Sequence, residues 1–271
     1  MGKLEGKVAF ITGAARGQGR SHAVRLAEEG ADIVALDICA QIESVSYPMA
    51  TREDLQETAK QVEALGRRVV TAEADVRDVA ALRSVTDQAV GELGPIDIVV
   101  ANAGIVAFGT PEDDRIFADT VTNNLVGAWN TAHVVAPAMI ERGAGGSIVF
   151  TSSMQGLSGR GGDGSAAVTG YAASKHGIVG VMRSLAYWLA PHRIRVNSVH
   201  PTGVDTPMLA NEVIGTWFAQ NPAVAAMAAN HMPVEMVESA DISNAVLYLV
   251  SDDGRYVTGA TLPVDAGAGI S

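Results

Sequence analysis

Six short runs rich in Val and Ile, at residues 7–12, 31–37, 68–74, 96–102, 147–152 and 194–199, alternate with longer segments of helical period. No other feature narrows the possible folds as much. The helical segments span 19–29, 52–65, 79–93 and 114–140. Strands this apolar along their length are buried on both faces, and a helix between successive strands carries the chain back so that neighbours run parallel. Thr51 and Asp54 have the spacing of a capping box at one helix start, and Gly66 stands where that helix needs a C-cap. No linker or shift in composition divides the chain, and no repeat exceeds the strand–helix unit. The expectation is one α/β domain over residues 1–271, a doubly wound parallel sheet with helices on both faces.

Composition closes off several functions. The chain is 48% apolar and 18% charged, which is globular rather than disordered. Its 19 Lys and Arg face 30 Asp and Glu, a net charge of −11. That acidity argues against nucleic acid or an anionic membrane as partner, since both need basic patches. No apolar stretch reaches transmembrane length, and "MGKLEGKVAF" runs straight into a strand pattern without a signal-peptide core. Gly6 stands where a myristoylation signal needs Ser or Thr. The single cysteine, Cys39, excludes an internal disulfide, so a reducing cytoplasm is expected. The six histidines show no metal-ligand spacing, and no metal is expected.

In a doubly wound sheet, ligands sit beyond the carboxyl ends of the strands, where strand order reverses. The first such crossing is "VAFITGAARGQGR", residues 8–20. Gly13 allows a tight turn, Gly17 a close approach of backbone to phosphate, and Gly19 close helix packing. The helix that follows offers free N–H groups and a positive dipole end to a pyrophosphate. A plain glycine turn has the same composition. The next strand ends in Asp37, where a carboxylate can accept hydrogen bonds from an adenosine ribose or serve only as a solvated cap.

Chemistry enters further along. "TGYAASKHG" places Tyr171 and Lys175 four apart at the start of an apolar helix, so the two share a face. A free tyrosine titrates near ~10 and is a poor base at neutral pH; a neighbouring cation stabilises its phenolate. An isolated pair of this kind is more often a surface pair. Here, however, the strand "GSIVFTSS" ends in two hydroxyls, Ser152 and Ser153, just before the helix.

Together these motifs resemble the short-chain dehydrogenase/reductase family over nearly the whole chain. "TGAARGQG" resembles its cofactor loop, "ADV" (74–76) its adenine contact, "NAG" (102–104) the motif after the fourth strand, and "NNLVG" (123–127) its asparagine motif. "SSMQG" and "YAASK" match the active-site serine and the Tyr/Lys pair, "HPTGVDTPM" (200–208) the segment after the sixth strand, and "TGATLPVDAG" the closing strand. The resemblance implies a Rossmann-like fold and NAD as cofactor. It makes Tyr171 the general acid/base and has Lys175 lower the tyrosine pKa and hold the nicotinamide ribose. Ser153 would hydrogen-bond the reacting oxygen. Asn124 would hold a water that links Lys175 to solvent, with Asn123 structural. The cofactor contacts implied are Gly13, Arg16, Gly17, Gln18, Gly19, Asp37, Asp75, Val76, Asn102, Ala103, Gly104, Tyr171, Lys175, Pro201, Gly203, Val204 and Thr206. A homotetramer is implied as well.

Two segments depart from the family pattern. "GLSGRGGDGSAAVTG" (156–170) lengthens the path from Ser153 to Tyr171. "ICAQIESVSYPMATR" (38–52) is inserted after Asp37, where the adenosine end belongs, with Tyr47, Pro48 and Met49 expected to form a cover. With "RGQGRSHA", the insertion resembles the carveol-dehydrogenase-like, mycofactocin-associated subfamily, which implies tightly held NAD and an external peptide-derived redox carrier. Trp217, Phe218, Met227, Met232 and Met236 lie in an apolar stretch of residues 204–237 that is either ordinary core or a substrate lid. The expected reaction is hydride transfer between a small apolar secondary alcohol or ketone and NAD. A carrier-linked 3-oxoacyl or other ketone reductase with freely exchanging cofactor, and a non-catalytic NAD-binding regulator, are the alternatives.

Overall fold

The computed structural model describes residues 2–111, 113, 115–160, 162–227 and 229–270. Asp114, where the fourth helical segment was expected to start, Gly161 of the glycine-rich loop and the Met227 side chain lie outside the described residues.

Seven strands form one parallel sheet: β1 (Val8–Thr12), β2 (Asp32–Asp37), β3 (Val69–Glu73), β4 (Ile98–Ala101), β5 (Gly146–Thr151), β6 (Ile194–Pro201) and β7 (Thr261–Val264). Their order is β3-β2-β1-β4-β5-β6-β7, so the direction of winding reverses between β1 and β4. Around them lie α1 (Gly17–Glu28), α2 (Arg52–Ala64), α3 (Val79–Leu93), α4 (Arg115–Val121), α5 (Gly127–Arg142), α6 (Ala166–Leu189), α7 (Glu212–Gln220), α8 (Pro222–Met227) and α9 (Ser239–Val250). The doubly wound sheet is the fold expected.

Alternation along each strand divides the interior into two cores. Phe10, Leu36, Val99, Ile148 and Phe150 face the side covered by α3, α5 and α6. Ile11, Ile33, Val100, Val149 and Val199 face the side covered by α1, α2 and α9. All of these are 0% exposed, which is why the strands read as apolar runs rather than as alternating ones.

The local signals hold at α2. Thr51 Oγ1 accepts from the Asp54 N–H at 3.2 Å and Asp54 Oδ2 accepts from the Thr51 N–H at 2.9 Å, closing the capping box. Gly66 lies just beyond, at φ +73. The single helix expected over 114–140 is instead two, α4 and α5, joined by one π-helical turn at Thr122–Val126. The extra residue accommodates contacts that a straight helix cannot make together. Asn124 turns inward, while Gly127 packs so tightly on Val76 that a Cβ there would lie 2.4 Å from Val76 Cγ2. No described helix is long and apolar enough to cross a membrane.

Candidate active site

The carboxyl ends of the strands open into a cleft of about 920 Å3 at the point where winding reverses. Of the site residues expected from sequence, all line it except Asn124.

One half of the cleft is the glycine turn between β1 and α1. Gly13 has φ +66, and a Cβ there would come within 2.8 Å of Ala103 Cα. Gly17 has φ +54 and faces the Thr206 side chain, with a Cβ contact of 3.2 Å. At Gly19 a Cβ would overlap the Gly13 carbonyl oxygen, so only glycine lets α1 pack onto the turn. The N-cap residue of α1, Arg16, makes no side-chain cap bond, which leaves that helix end open towards the cleft. Thr12, which sequence reasoning did not single out, holds the far rim. Its Oγ1 accepts from the backbone N–H groups of Asn102 and Ala103, both at 3.1 Å. Asn102 answers by donating Nδ2 to the Thr12 carbonyl at 3.1 Å.

Asp37 is 7% exposed at the end of β2. Its carboxylate accepts from the N–H of Ala15 at 3.1 Å and of Cys39 at 3.2 Å. Burial nevertheless pushes its pKa up, outweighing those bonds and the charge of Arg16. Asp75 behaves in the opposite way. Burial raises it, but the Arg77 guanidinium, bound at 2.6 and 2.8 Å, outweighs burial and holds it low. Arg16 donates to the Pro48 carbonyl at 2.5 Å.

The other half holds Ser153, Tyr171 and Lys175. Ser153 follows β5 and caps a short 3₁₀ turn, Met154–Gly156, through a Gln155 N–H to Ser153 Oγ bond of 3.1 Å. The same hydroxyl lies within reach of Tyr171, which is partly buried. Burial raises the Tyr171 pKa and the Ser153 bond lowers it, and burial wins. Lys175 is expected to lower it as well. Its ammonium instead donates to the Thr151 carbonyl at 2.8 Å and lies 5.5 Å from the Tyr171 ring centre. Burial brings Lys175 itself down to about 8. Ser152, the first hydroxyl of the pair, donates to the Lys175 carbonyl at 2.9 Å and so ties α6 to the end of β5.

Asn124 sits behind the cleft. Its Oδ1 accepts from the Ile105 N–H at 2.8 Å and from Asn123 Nδ2 at 3.1 Å, while its Nδ2 donates to the Ile105 carbonyl at 2.9 Å and to Ser174 Oγ at 3.4 Å. Two acceptor sites and two protons of the side chain are thereby used, and they clasp the loop after β4.

Over the cleft lies a third, smaller core. Ile42, Val45 and Tyr47 of the inserted segment pack with Ile105 and Val106 after β4 and with Ile214 of α7. Tyr47 and Met49 line the cleft, but Pro48 is exposed and contributes only its carbonyl. Ser46 Oγ also donates to Thr110 Oγ1 at 2.9 Å. The insertion therefore crosses from the β2 rim to the β4 rim, further than the adenosine edge where it was expected. On the lid side, Trp217 stacks on Phe108 with ring centres 5.0 Å apart, and Phe108 meets the Tyr171 ring edge-on at 5.6 Å. Val204 and Val237 pair in an isolated bridge, so the segment between them leaves and rejoins the fold at one place.

A dinucleotide fits this cleft. Gln18 Oε1 is buried beside the glycine turn without a hydrogen-bond partner in the protein, and Gly13, Gly17 and Gly19 form a cradle that side chains would fill.

The family profile described as short chain dehydrogenase matches residues 7–215. The chain is 50% identical over 278 residues to (-)-trans-carveol dehydrogenase of Rhodococcus erythropolis, covering 98% of this chain and 99% of the other. Among solved structures, carveol dehydrogenase from Mycobacterium avium in complex with NAD superposes with a TM-score of 0.92 at 48% identity, covering both chains completely. A short chain dehydrogenase from Mycobacterium paratuberculosis bound to NAD gives 0.91 at 45%, again over both whole chains. Matched from the glycine turn through the Ser153–Tyr171–Lys175 cluster, this chain belongs to the short-chain dehydrogenase family and resembles its carveol dehydrogenases.

Proposed function

We propose that this chain is an NAD-dependent oxidoreductase that interconverts a small apolar secondary alcohol of carveol-like size and its ketone. One observation carries the reading: a partly buried tyrosine, with the Ser153 hydroxyl and the Lys175 ammonium beside it, shares a single cleft with a glycine turn and a strand-end carboxylate. The NAD in two similar structures and the carveol dehydrogenase among the relatives support cofactor and substrate class.

Gly13, Arg16, Gly17, Gln18 and Gly19 would hold the pyrophosphate, Asp37 the adenosine ribose, and Val76 with Asp75 the adenine. Asn102, Ala103 and Gly104 would line the middle, and Pro201, Gly203, Val204 and Thr206 the nicotinamide end. NAD supplies the hydride acceptor for alcohol oxidation. Tyr171 Oη takes the hydroxyl proton of the alcohol and returns it to the carbonyl oxygen in the reverse direction. Ser153 Oγ donates to that same oxygen as its charge develops. Lys175, held by the Thr151 carbonyl, keeps a positive charge behind the tyrosine ring, where it favours the phenolate. Phe108, Trp217, Met154 and Val168 give the pocket apolar walls, which suits a hydrocarbon ring.

Asp37 selects NAD over NADP, because a 2′-phosphate would bring negative charge to a buried carboxylate and Arg16 is committed to Pro48. The inserted segment closes over the bound cofactor and slows its exchange, so that electrons leave through an external, mycofactocin-like redox carrier. A homotetramer in the cytoplasm completes the reading. To test it, protein loaded with NAD is offered a panel of cyclic secondary alcohols, with and without a diffusible electron acceptor, and nicotinamide reduction is followed by absorbance. Reduction that depends on the alcohol supports the proposal; no reduction with any alcohol, and no oxidation of NADH with the matching ketones, defeats it.

A further inference from the structure

We propose that His200 is a positioning residue that fixes the Ser153 backbone, and with it the hydroxyl that meets Tyr171. The inference rests on the acid–base assignment above and extends it to a residue that does not touch the reacting atoms. Strand β6 outruns β5. The last backbone rung between them is the Ser152 N–H to the Val199 carbonyl at 2.9 Å. At the next position the rung is supplied by a side chain, as His200 Nδ1 meets the Ser153 carbonyl oxygen at 2.8 Å. That carbonyl also accepts from the Gly156 N–H at 2.9 Å, so the 3₁₀ turn carrying Ser153 is clamped from both sides.

The protonation state follows from the partners. A carbonyl only accepts, so Nδ1 carries the proton; Nε2, 2.8 Å from Ser198 Oγ, then accepts from that hydroxyl. The ring is 0% exposed. Burial holds its pKa down to about 4; the Ser153 bond and Asp265 oppose this, and the cations of Lys175 and Arg183 reinforce it. The imidazole is therefore neutral, of one tautomer and rotationally locked at both ends, and it does not titrate where the enzyme works. It serves as a rigid spacer between the end of β6 and the serine.

The rate–pH profile of alcohol oxidation tests this, because its acid limb reports Tyr171, which the Ser153 hydroxyl and the titratable groups of Lys175 and Tyr47 face. His200→Phe is expected to lower kcat roughly tenfold with dinucleotide affinity unchanged. Its acid limb should move to higher pH, in the direction Ser153→Ala moves it, and adding His200→Phe to Ser153→Ala should cost nothing further. His200→Asn, which keeps an N–H near the Nδ1 position, should recover kcat to within about threefold of the native chain. A His200→Phe profile that coincides with the native one, or a full additional loss in the double variant, would overturn the proposal. Should His200→Phe fail to fold, nitrogen shifts of labelled histidine in the native protein decide: the Nδ1–H tautomer is expected, and Nε2–H overturns. Turnover that survives both Tyr171→Phe and Ser153→Ala would instead defeat the acid–base assignment itself, a distinguishable outcome.

Discussion

Arg16 of the glycine turn donates to the Pro48 carbonyl of the inserted segment at 2.5 Å, so the turn and the strap above it are tied directly to each other. A charged donor on an exposed carbonyl is worth about 1 kcal/mol, and its loss should appear mostly in dissociation. Arg16→Ala is expected to speed release of labelled NAD into excess unlabelled NAD by roughly fivefold to tenfold. Arg16→Lys, which keeps the charge but not the fork, should fall between. Release at the native rate from both variants would show that the tie does not govern exchange.

Tyr171→Phe removes one hydroxyl and little volume, so the fold and NAD binding should persist. Loss of a positioned acid/base costs on the order of 10²–10⁴-fold in rate. Turnover of the best alcohol within about threefold of native, measured at saturating NAD, would remove Tyr171 from the mechanism.

Burial raises the Asp37 pKa in the folded chain, so its ionised form is disfavoured by folding. The penalty is absent below the unfolded pKa and grows as pH rises from there through the folded value. Asp37→Asn should therefore leave the cofactor-free protein at least as stable as native at pH 7, while weakening NAD binding and narrowing its advantage over NADP. In the native chain NAD affinity should fall as pH drops towards the raised pKa, because a protonated carboxyl loses acceptor capacity. Titrations from pH 4.5 to 7 read this; a pH-independent affinity in that window contradicts it.

Lys175 presents the opposite sign. Its fall from 10.5 to about 8 corresponds to roughly 3 kcal/mol against the charged form on folding. Between those two values the unfolded chain binds the proton that the folded chain has lost, so stability gains a rising component with pH. Lys175→Met should abolish that component between pH 8 and 10.5 in denaturant titrations. It should also unfold no more easily than native at pH 7, although activity is lost. Identical pH dependence in the two proteins would show that the ammonium is not buried in solution.

Trp217 lies flat on Phe108, which in turn meets Tyr171 edge-on. A stacked pair contributes about 0.5–1.5 kcal/mol beyond area burial, so Trp217→Ala should raise KM for cyclic alcohols roughly threefold to tenfold. NAD affinity should change little. An unchanged KM would place the substrate away from this wall.

What could be read from sequence was what short stretches determine by themselves. The capping box at Thr51, the glycine turn and the shared face of Tyr171 and Lys175 need only neighbours within a few residues. The rest depends on meetings between distant segments. Nothing near Asn124 announces that its amide will be spent on Ile105, and nothing in the insertion states that it will travel to Thr110. Lys175 shows the same limit: helical spacing places the lysine near Tyr171, but the Thr151 carbonyl decides where its ammonium points. Even so, a hydroxyl directly before Gly13 and two before Met154 were signals available at Thr12, Ser152 and Ser153.

The bridge between Val204 and Val237 gives residues 205–236 a common point of entry and exit. A detour of that kind adds no net displacement to the chain path, so its length and contents can change without altering the distance that β6 and α9 must span. The Trp217 wall of the cleft is thereby carried on a segment that can be exchanged as a unit. A chimera that takes residues 207–236 from a relative, leaving Thr206 in place, should inherit the donor's choice of alcohol while keeping the recipient's grip on NAD.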